Sequence, residues 1–166
     1  NKDLFSVSPN VKGVNNWVDE NTLEYIPNEL LASGSEFDVT FFVDKLFKNS
    51  DLPDFNFSFI TLQQAVFPEF IGIQQANEKN YEDLVYNGVI KTADYADLDK
   101  VQSVVKATQN GTPLEIKWET AESENKFRYC VKGIKRSAQE SAFQISWDGK
   151  NIGGENSGNK TITIPA

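Results

Sequence analysis

Histidine and methionine are absent from the 166 residues, and cysteine occurs once. The absence of His excludes Ser-His-Asp and Cys-His catalysis, His-ligated zinc or iron, and a pH switch based on imidazole. A single Cys excludes an internal disulfide. No run of about 18 apolar residues occurs, so no segment of the printed chain is long enough to span a membrane as an apolar helix. Most familiar hydrolase chemistries are excluded with these residues.

Basic residues are in the minority: 16 Lys and Arg face 24 Asp and Glu, a net charge of −8. A net negative charge is repelled by a phosphate backbone and by an anionic bilayer, so we expect no nucleic-acid partner and no membrane insertion. The chain begins at Asn1 without a basic, apolar leader. We therefore expect a processed chain or a piece of a longer one, with any leader or lipid anchor upstream.

Apolar residues at every second position dominate the chain, which is the period of strands with one buried and one wet face. The overall composition, 39% hydrophobic and 24% charged, supports a packed core. In the first 62 residues the alternation predicts four or five strands, most clearly Phe37–Val43 and Phe55–Thr61. So few strands leave open edges and close a sandwich poorly. We expect residues 1–62 to be an incomplete immunoglobulin-like unit whose opening strands are missing or replaced by a neighbour.

The second segment, residues 63–166, contains about seven predicted strands at the spacing of an immunoglobulin-like sandwich. Pro68 cannot donate a ladder hydrogen bond, so the strand Val66–Ile73 is expected at a sheet edge or first in a sheet. The uninterrupted alternation of Leu84–Thr92 predicts a more central strand. No Gly, Pro or Ser-rich linker separates the two segments, which predicts a direct, stiff junction.

One change of period and two turn signals complete the prediction for the second segment. Between residues 96 and 108, the spacing of Leu98, Val101 and Val105 predicts one short helix. Asn110-Gly111 predicts a turn, and Asp148-Gly149 predicts a hairpin with a type I′ turn. The predicted fold class is all-β: tandem immunoglobulin-like antiparallel β-sandwiches with one short helix in the second domain.

Twenty aromatic residues raise the question of a stacking platform for sugars. They recur at alternate strand positions, which favours core packing over ligand binding. The residues assigned to the core in this way are Phe37, Phe41, Phe55, Phe57, Phe59, Phe127, Tyr129, Phe143 and Trp147.

Three carboxylate pairs lie in hydrophilic segments: Asp19/Glu20, Glu82/Asp83 and Asp97/Asp99. Glycosidase chemistry needs one acid whose pKa is raised by an apolar surrounding, and nothing near these pairs in the sequence supplies one. We interpret them as solvated charges in turns. Asp148–Asn151 superficially matches a calcium loop, but Lys150 stands where an oxygen ligand is required, and we reject that reading. The sequence nominates no catalytic, cofactor-binding or metal-binding residue.

Cys130 lies in the alternating segment 126–134, so we expect a small, partly buried strand side chain rather than a nucleophile. Three Asn-x-Ser/Thr triplets begin at Asn56, Asn110 and Asn159. This pattern marks N-glycosylation in secreted proteins but arises often by chance.

Two series of segments carry a resemblance to a known family. The first series is Phe5–Gly13, Trp17, Thr22–Pro27, Leu30–Gly34 and Phe37–Phe41. The second series is Phe127–Val131, Gly133–Arg136, Ile145–Lys150 and Ile162–Ala166. Together they resemble the immunoglobulin-like unit and the following macroglobulin domain near the amino end of bacterial α2-macroglobulin-like proteins.

This resemblance implies tandem macroglobulin-type sandwiches of a large, lipid-anchored envelope protein, in the periplasm or at the outer-membrane surface. Such proteins inhibit proteases by trapping them in a cage of stacked domains. The implied partners are adjacent domains of a longer chain and, through the whole protein, target proteases. The family thioester motif Cys-x-Glu-Gln is not matched, because Val131-Lys132-Gly133 follow Cys130. The implied role is structural and not enzymatic, without cofactors.

A protein of another class also fits these residues. An immunoglobulin-like surface adhesin or glycan-binding module uses the same sandwiches, with recognition carried by loops. The candidate loops are residues 77–81 and 153–160.

Overall fold

A computed structural model describes residues 4–47, 51–119 and 123–166. Within them the chain forms thirteen strands and two short α-helices, and every pair of named strands is antiparallel. The Cα positions divide the chain into two compact units, Asn1–Leu62 and Gln63–Ala166. The predicted all-β fold class with antiparallel sheets is confirmed.

The first unit contains five strands and one helical turn. They are β1 (Phe5–Ser8), β2 (Gly13–Trp17), β3 (Leu23–Pro27), β4 (Glu36–Phe41), α1 (Val43–Leu46) and β5 (Phe55–Ile60). Three strands form a sheet in the order β1-β4-β5, and β2 pairs with β3 in a separate hairpin. The sequence interpretation of Phe37–Val43 as one strand is wrong at its end. Val43 begins α1, and its backbone N–H donates to the Asp54 carboxylate at 3.0 Å instead of to a strand.

The second unit contains eight strands in two four-stranded sheets. They are β6 (Val66–Asn77), β7 (Asn80–Thr92), β8 (Val105–Gln109), β9 (Thr112–Pro113), β10 (Glu115–Trp118), β11 (Lys126–Lys135), β12 (Ser141–Asp148) and β13 (Ser157–Ile164). The sheet orders are β10-β11-β7-β6 and β13-β12-β8-β9. Strand β6, which carries Pro68, lies at an edge, and β7 lies between β11 and β6, as their sequences predict.

Apolar side chains from both sheets form one core in the second unit. β7 and β11 contribute alternate residues because successive strand side chains point to opposite faces. The largest fully buried side chains of this core are Tyr86, Tyr129, Phe127, Phe143, Ile90, Ile134 and Ile145. Two antiparallel sheets around a shared core make this unit a β-sandwich.

The predicted helix is much shorter than its periodicity suggested. Helix α2 covers only Leu98–Val101, and the Asp97 carboxylate caps it by accepting the Asp99 N–H at 3.0 Å. Val105 is not helical as expected: it opens β8 and lies opposite Trp147 of β12. Pairing with β12 satisfies the backbone of this segment in place of helical hydrogen bonds.

The two predicted turns have different outcomes. Asn110 and Gly111 both have positive φ, 48° and 81°, as a primed turn between β8 and β9 requires. The two-residue hairpin predicted at Asp148-Gly149 is wrong, because residues 149–152 form a 3-10 turn. Strands β12 and β13 do pair, but the left-handed position in their longer connection is Gly153, with φ 82°.

Candidate functional site: the apolar cleft of the first unit

The first unit contains an apolar cleft of about 800 Å³ lined by residues of all five of its strands. Its aromatic lining residues are Phe5, Trp17, Tyr25, Phe41, Phe47, Phe55, Phe57 and Phe59. Polar side chains are few, chiefly Glu20 and Asn21 at the β2–β3 connection. The Tyr25 hydroxyl is already used, because it donates to the Val11 carbonyl at 2.6 Å. The cleft is therefore suited to burying apolar groups.

Strand β5 supplies an exposed aromatic wall of this cleft. Its three aromatic residues, Phe55, Phe57 and Phe59, are 61%, 43% and 36% exposed, although they alternate as the core prediction required. That assignment to a core is wrong for these three residues. Phe37 of β4, which stacks on Phe59 at 5.4 Å between ring centroids, is only 3% exposed. The alternation is the same in both strands, but only β4 has a strand on each side.

Negative charge is concentrated in this unit. Residues 1–62 contain four Lys and ten Asp or Glu, so they carry −6 of the total of −8. Strand β5 itself contains no charged residue. Asp54 directly precedes it, and Asp38 of the neighbouring strand accepts a hydrogen bond from the Ser58 hydroxyl at 2.5 Å. Strand β5, which is uncharged, thus lies in a unit with an excess of negative charge.

Asp19 shapes the polar rim of the cleft in the β2–β3 connection. Its carboxylate accepts hydrogen bonds from the Asn21 backbone N–H at 2.7 Å and from the Thr22 hydroxyl at 3.0 Å. These bonds favour the ionised form and lower the pKa of Asp19. The pair Asp19/Glu20 therefore lies in a solvated turn. The hydrogen bonds of the Asp19 carboxylate stabilise the β2–β3 connection, from which Glu20 and Asn21 line the cleft.

The other two carboxylate pairs divide between a turn and a strand. Asp97 and Asp99 lie at the start of α2, as solvated turn charges. Glu82 and Asp83 do not lie in a turn as expected but within β7. Asp83 is partly buried and forms an ion pair with Lys135 of β11, because register places the two opposite each other. Among the described residues, none of the three pairs belongs to a cluster of three or more acidic side chains that could hold a metal ion.

The remaining sequence candidates are distributed over the surface. Cys130 is a half-buried free thiol on the opposite face of β11 from the core. The Asn110 side chain is engaged in its turn, where it accepts the Ala142 N–H at 2.9 Å. Asn56 and Asn159 are exposed on β5 and β13. Among residues 4–47, 51–119 and 123–166, no group of His, Cys, Asp and Glu side chains is arranged to hold a metal ion.

Two buried phenols form an unusual pair in the core of the second unit. The rings of Tyr86 and Tyr129 lie 6.1 Å apart, and both hydroxyl oxygens are buried without a hydrogen bond of good geometry in the part of the chain that is described. Gly88 makes room for this arrangement, because a Cβ there would lie 2.6 Å from the Tyr129 hydroxyl. Burial raises the pKa of both tyrosines, and the neighbouring Tyr86 raises that of Tyr129 further.

Sequence reasoning missed two amide side chains that hold segments of the second unit together. Gln64 is 4% exposed, and its amide donates to the carbonyls of Asp94 and Tyr95 at 3.2 and 2.9 Å. Its carbonyl oxygen accepts the Asp94 N–H at 3.0 Å. Asn156 forms a comparable pair of bonds with Val66. Neither residue has a sequence signal, since both lie in polar connections that look like ordinary loops.

The chain matches no protein-family model and no curated protein. In the described part of the chain, none of the helices has both the length and the apolar character needed to cross a bilayer.

Proposed function

We propose that this chain supplies two non-catalytic structural domains of a bacterial α2-macroglobulin-like protease-trapping inhibitor. One observation supports the proposal: most of the segments that resemble the family lie on strands, on β1 to β4 in the first unit and on β11 to β13 in the second. Thr22–Pro27 and Phe37–Phe41 coincide with β3 and β4 of the first unit. Phe127–Val131 and Ile162–Ala166 coincide with β11 and the end of β13 in the second unit.

The connection between the units supports a mechanical role. Strand β5 ends at Ile60 and β6 begins at Val66, so residues 61–65 connect them without a Gly or Pro. Flexible linkers are longer and rich in Gly and Ser. Gln64, inside this connection, is hydrogen-bonded to the turn at Asp94 and Tyr95. The connection is therefore short, and Gln64 anchors its end within the second unit.

Under this proposal the protein belongs to the cell envelope, in the periplasm or at the outer-membrane surface. A lipid anchor would lie in sequence beyond the printed residues. The partners are adjacent domains of the longer chain, and target proteases are met through the whole protein. The second unit is then a macroglobulin-type sandwich, and its contribution is rigid spacing rather than chemistry.

The native protein tests the proposal directly. An antibody against this chain would recover it from the source cells, and mass spectrometry would determine its length and amino-terminal modification. We expect a very long, lipid-anchored chain. Incubated with it, a protease should lose activity on large protein substrates but retain activity on short peptides, because a cage excludes only large molecules. A chain ending near Ala166, one fused to a glycosidase or cell-wall anchor, or equal loss on both substrates would contradict the proposal.

A second candidate is an immunoglobulin-like adhesin or glycan-binding module. The exposed aromatic rings of β5 favour it, as does Tyr81, the second residue of β7, which is 64% exposed. Aromatic rings stack on the apolar faces of sugars. A glycan array probed with the chain and with Phe57→Ala and Tyr81→Ala variants tests this candidate. Binding lost in either variant would support a glycan module, and the absence of any bound glycan would count against it.

A further inference from the structure

Strand β5 has a free edge. Within the described residues it pairs only with β4, at the end of the order β1-β4-β5. All six residues from Phe55 to Ile60 are exposed. An edge strand presents alternate backbone N–H and C=O groups that can extend the sheet by one strand. The free edge therefore has the chemistry of a β-strand acceptor.

Nothing in β5 protects this edge against strand addition. Natural edge strands carry charges, Pro or bulges that discourage pairing. The edge strand β6 has Pro68, Glu69 and a register shift near Gly72. Strand β5 has no charged residue, no Pro and no register shift against β4. At the opposite edge of the same sheet, β1 is four residues long and already has Phe5 and Val7 half-buried.

The side chains of β5 specify the inward face of an added strand. Phe55, Phe57 and Phe59 point into the cleft on the same face as Phe37 and Val39. A strand added beside β5 would place every second side chain next to these rings and into the cleft. Because the cleft is lined chiefly by apolar groups, those inward side chains must be apolar.

Charge specifies the outward face of the added strand. The unit carries −6, so a second copy of the chain is repelled as a whole. Asp38 lies on the outward face of β4, one strand from β5. Neighbouring strands are about 4.8 Å apart, so an added strand lies about 10 Å from Asp38, which is about one Debye length at 0.1 M salt, and the field of Asp38 acts on it most strongly at low ionic strength. Lys, Arg or uncharged residues are favoured at the outward positions.

We infer that β5 accepts an extended strand from a separate polypeptide, with an apolar residue at every second position and basic or uncharged residues between them. Backbone hydrogen bonds to β5 provide the affinity, and the three phenylalanines select the alternating pattern. The acceptor role does not depend on the proposed function, since it follows from the edge, the cleft and the charge of the first unit alone.

A synthetic peptide tests the inference on the full 166-residue chain. The probe is a fluorescent nine-residue peptide that alternates Val or Phe with Lys or Thr. One control has the same composition with its apolar residues grouped together, and another has Glu in place of Lys. We expect the alternating basic peptide to bind about tenfold more tightly than either control, and hydrogen exchange of alternate β5 amides to slow on binding. Equal binding of the grouped peptide would overturn the inference.

Matched variants locate the peptide on β5. Phe57→Lys places a charge in the cleft face of the strand and should abolish binding, whereas Ile60→Thr changes the outward face without adding a charge at the edge and should leave binding within about twofold. Phe55→Thr, which keeps a strand-forming residue, should weaken binding, and circular dichroism checks that each variant is folded. Equal binding by Phe57→Lys and the unmodified chain would overturn the inference. So would a stable dimer that Phe57→Lys dissociates, since a second copy would then occupy the edge.

Discussion

The side-chain amide of Asn156 forms two hydrogen bonds with the backbone of Val66. The Val66 N–H donates to Asn156 Oδ1 at 2.8 Å, and Asn156 Nδ2 donates to the Val66 carbonyl at 2.5 Å. Val66 begins β6 in one sheet of the sandwich, and Asn156 directly precedes β13 of the other. The amide side chain thus forms the pair of hydrogen bonds that a residue of a neighbouring strand would form. It joins two sheets that share no backbone hydrogen bonds at this point.

Replacing this amide tests its contribution to the second unit. Asn156→Asp keeps an acceptor for the Val66 N–H. It replaces the donor to the Val66 carbonyl by a carboxylate oxygen, which repels that carbonyl oxygen. We expect it to lower the free energy of unfolding by about 1 to 3 kcal/mol, measured by urea denaturation. Asn159→Asp adds the same charge on exposed β13 and serves as the control. Equal losses in the two variants would show that charge, and not the hydrogen bond, is responsible.

Gln64 provides a second test of the same kind. Gln64→Glu removes the donors to the Asp94 and Tyr95 carbonyls and buries a carboxylate beside them. We expect a loss of about 2 to 3 kcal/mol in the free energy of unfolding at pH 7. The neighbouring Gln63→Glu is the matched control, because Gln63 is exposed and donates only a long bond of 3.4 Å to the Gly153 carbonyl. An unchanged thermal midpoint in Gln64→Glu would contradict the anchoring role.

The buried tyrosine pair predicts a loss of stability at alkaline pH. Burial raises the pKa of Tyr86 and Tyr129 above the ordinary value of 10.0, so the unfolded chain releases these protons at lower pH than the folded chain. The contribution of the two tyrosines to the free energy of unfolding is therefore constant below pH 10. It is lost as the pH rises from 10 towards the folded-state pKa, by about 1.4 kcal/mol per pH unit for each tyrosine.

The double variant Tyr86→Phe/Tyr129→Phe isolates this effect. Removing both hydroxyls together should leave stability at pH 7 nearly unchanged, since neither has a hydrogen bond of good geometry. Urea midpoints at pH 7, 10 and 11 should then decline less steeply than those of the unmodified protein. All other residues are the same in the two proteins, so the difference between their slopes reports on the two phenols. A decline of the same slope in both would mean that the two phenols ionise freely in the folded state.

Trp147 and Gly158 lie opposite each other on β12 and β13 and predict a coupled pair of variants. Trp147 packs against Phe70 at 5.9 Å between ring centroids, and a Cβ at Gly158 would lie 2.4 Å from its ring. Trp147→Ala should cost about 3 to 5 kcal/mol of the free energy of unfolding and lower the melting temperature of the second unit. Gly158→Ala should cost about 1 to 3 kcal/mol by displacing the ring.

The double variant Trp147→Ala/Gly158→Ala should cost less than the sum of the two single changes, because the added methyl group enters the space that the ring vacates. Differential scanning calorimetry checks the coupling. Strict additivity would show that the two residues do not share a packing site. An unchanged melting temperature in Trp147→Ala alone would instead indicate an exposed indole.

The sequence predicts β7 and β11 well because both of their determinants are local. Alternation over Leu84–Thr92 and the segment 126–134 specifies strands, and their buried faces agree with it. The helix near Leu98 is overestimated, because the same spacing of Val101 and Val105 also occurs where a helical turn leads into a strand. The contacts of Val105 with β12 are long-range and have no local signal.

Phe37 and Phe59 separate what the sequence by itself determined from what the tertiary structure decided. The sequence determined the strand period, the side of the sheet to which each ring points, the edge position of Pro68 and the concentration of negative charge in residues 1–62. Only the tertiary structure decided that Phe37 is buried while Phe59 is exposed, and that Asn156 and Gln64 are anchors. The physical reason is that a period of two assigns a face, whereas burial depends on which distant strands cover that face.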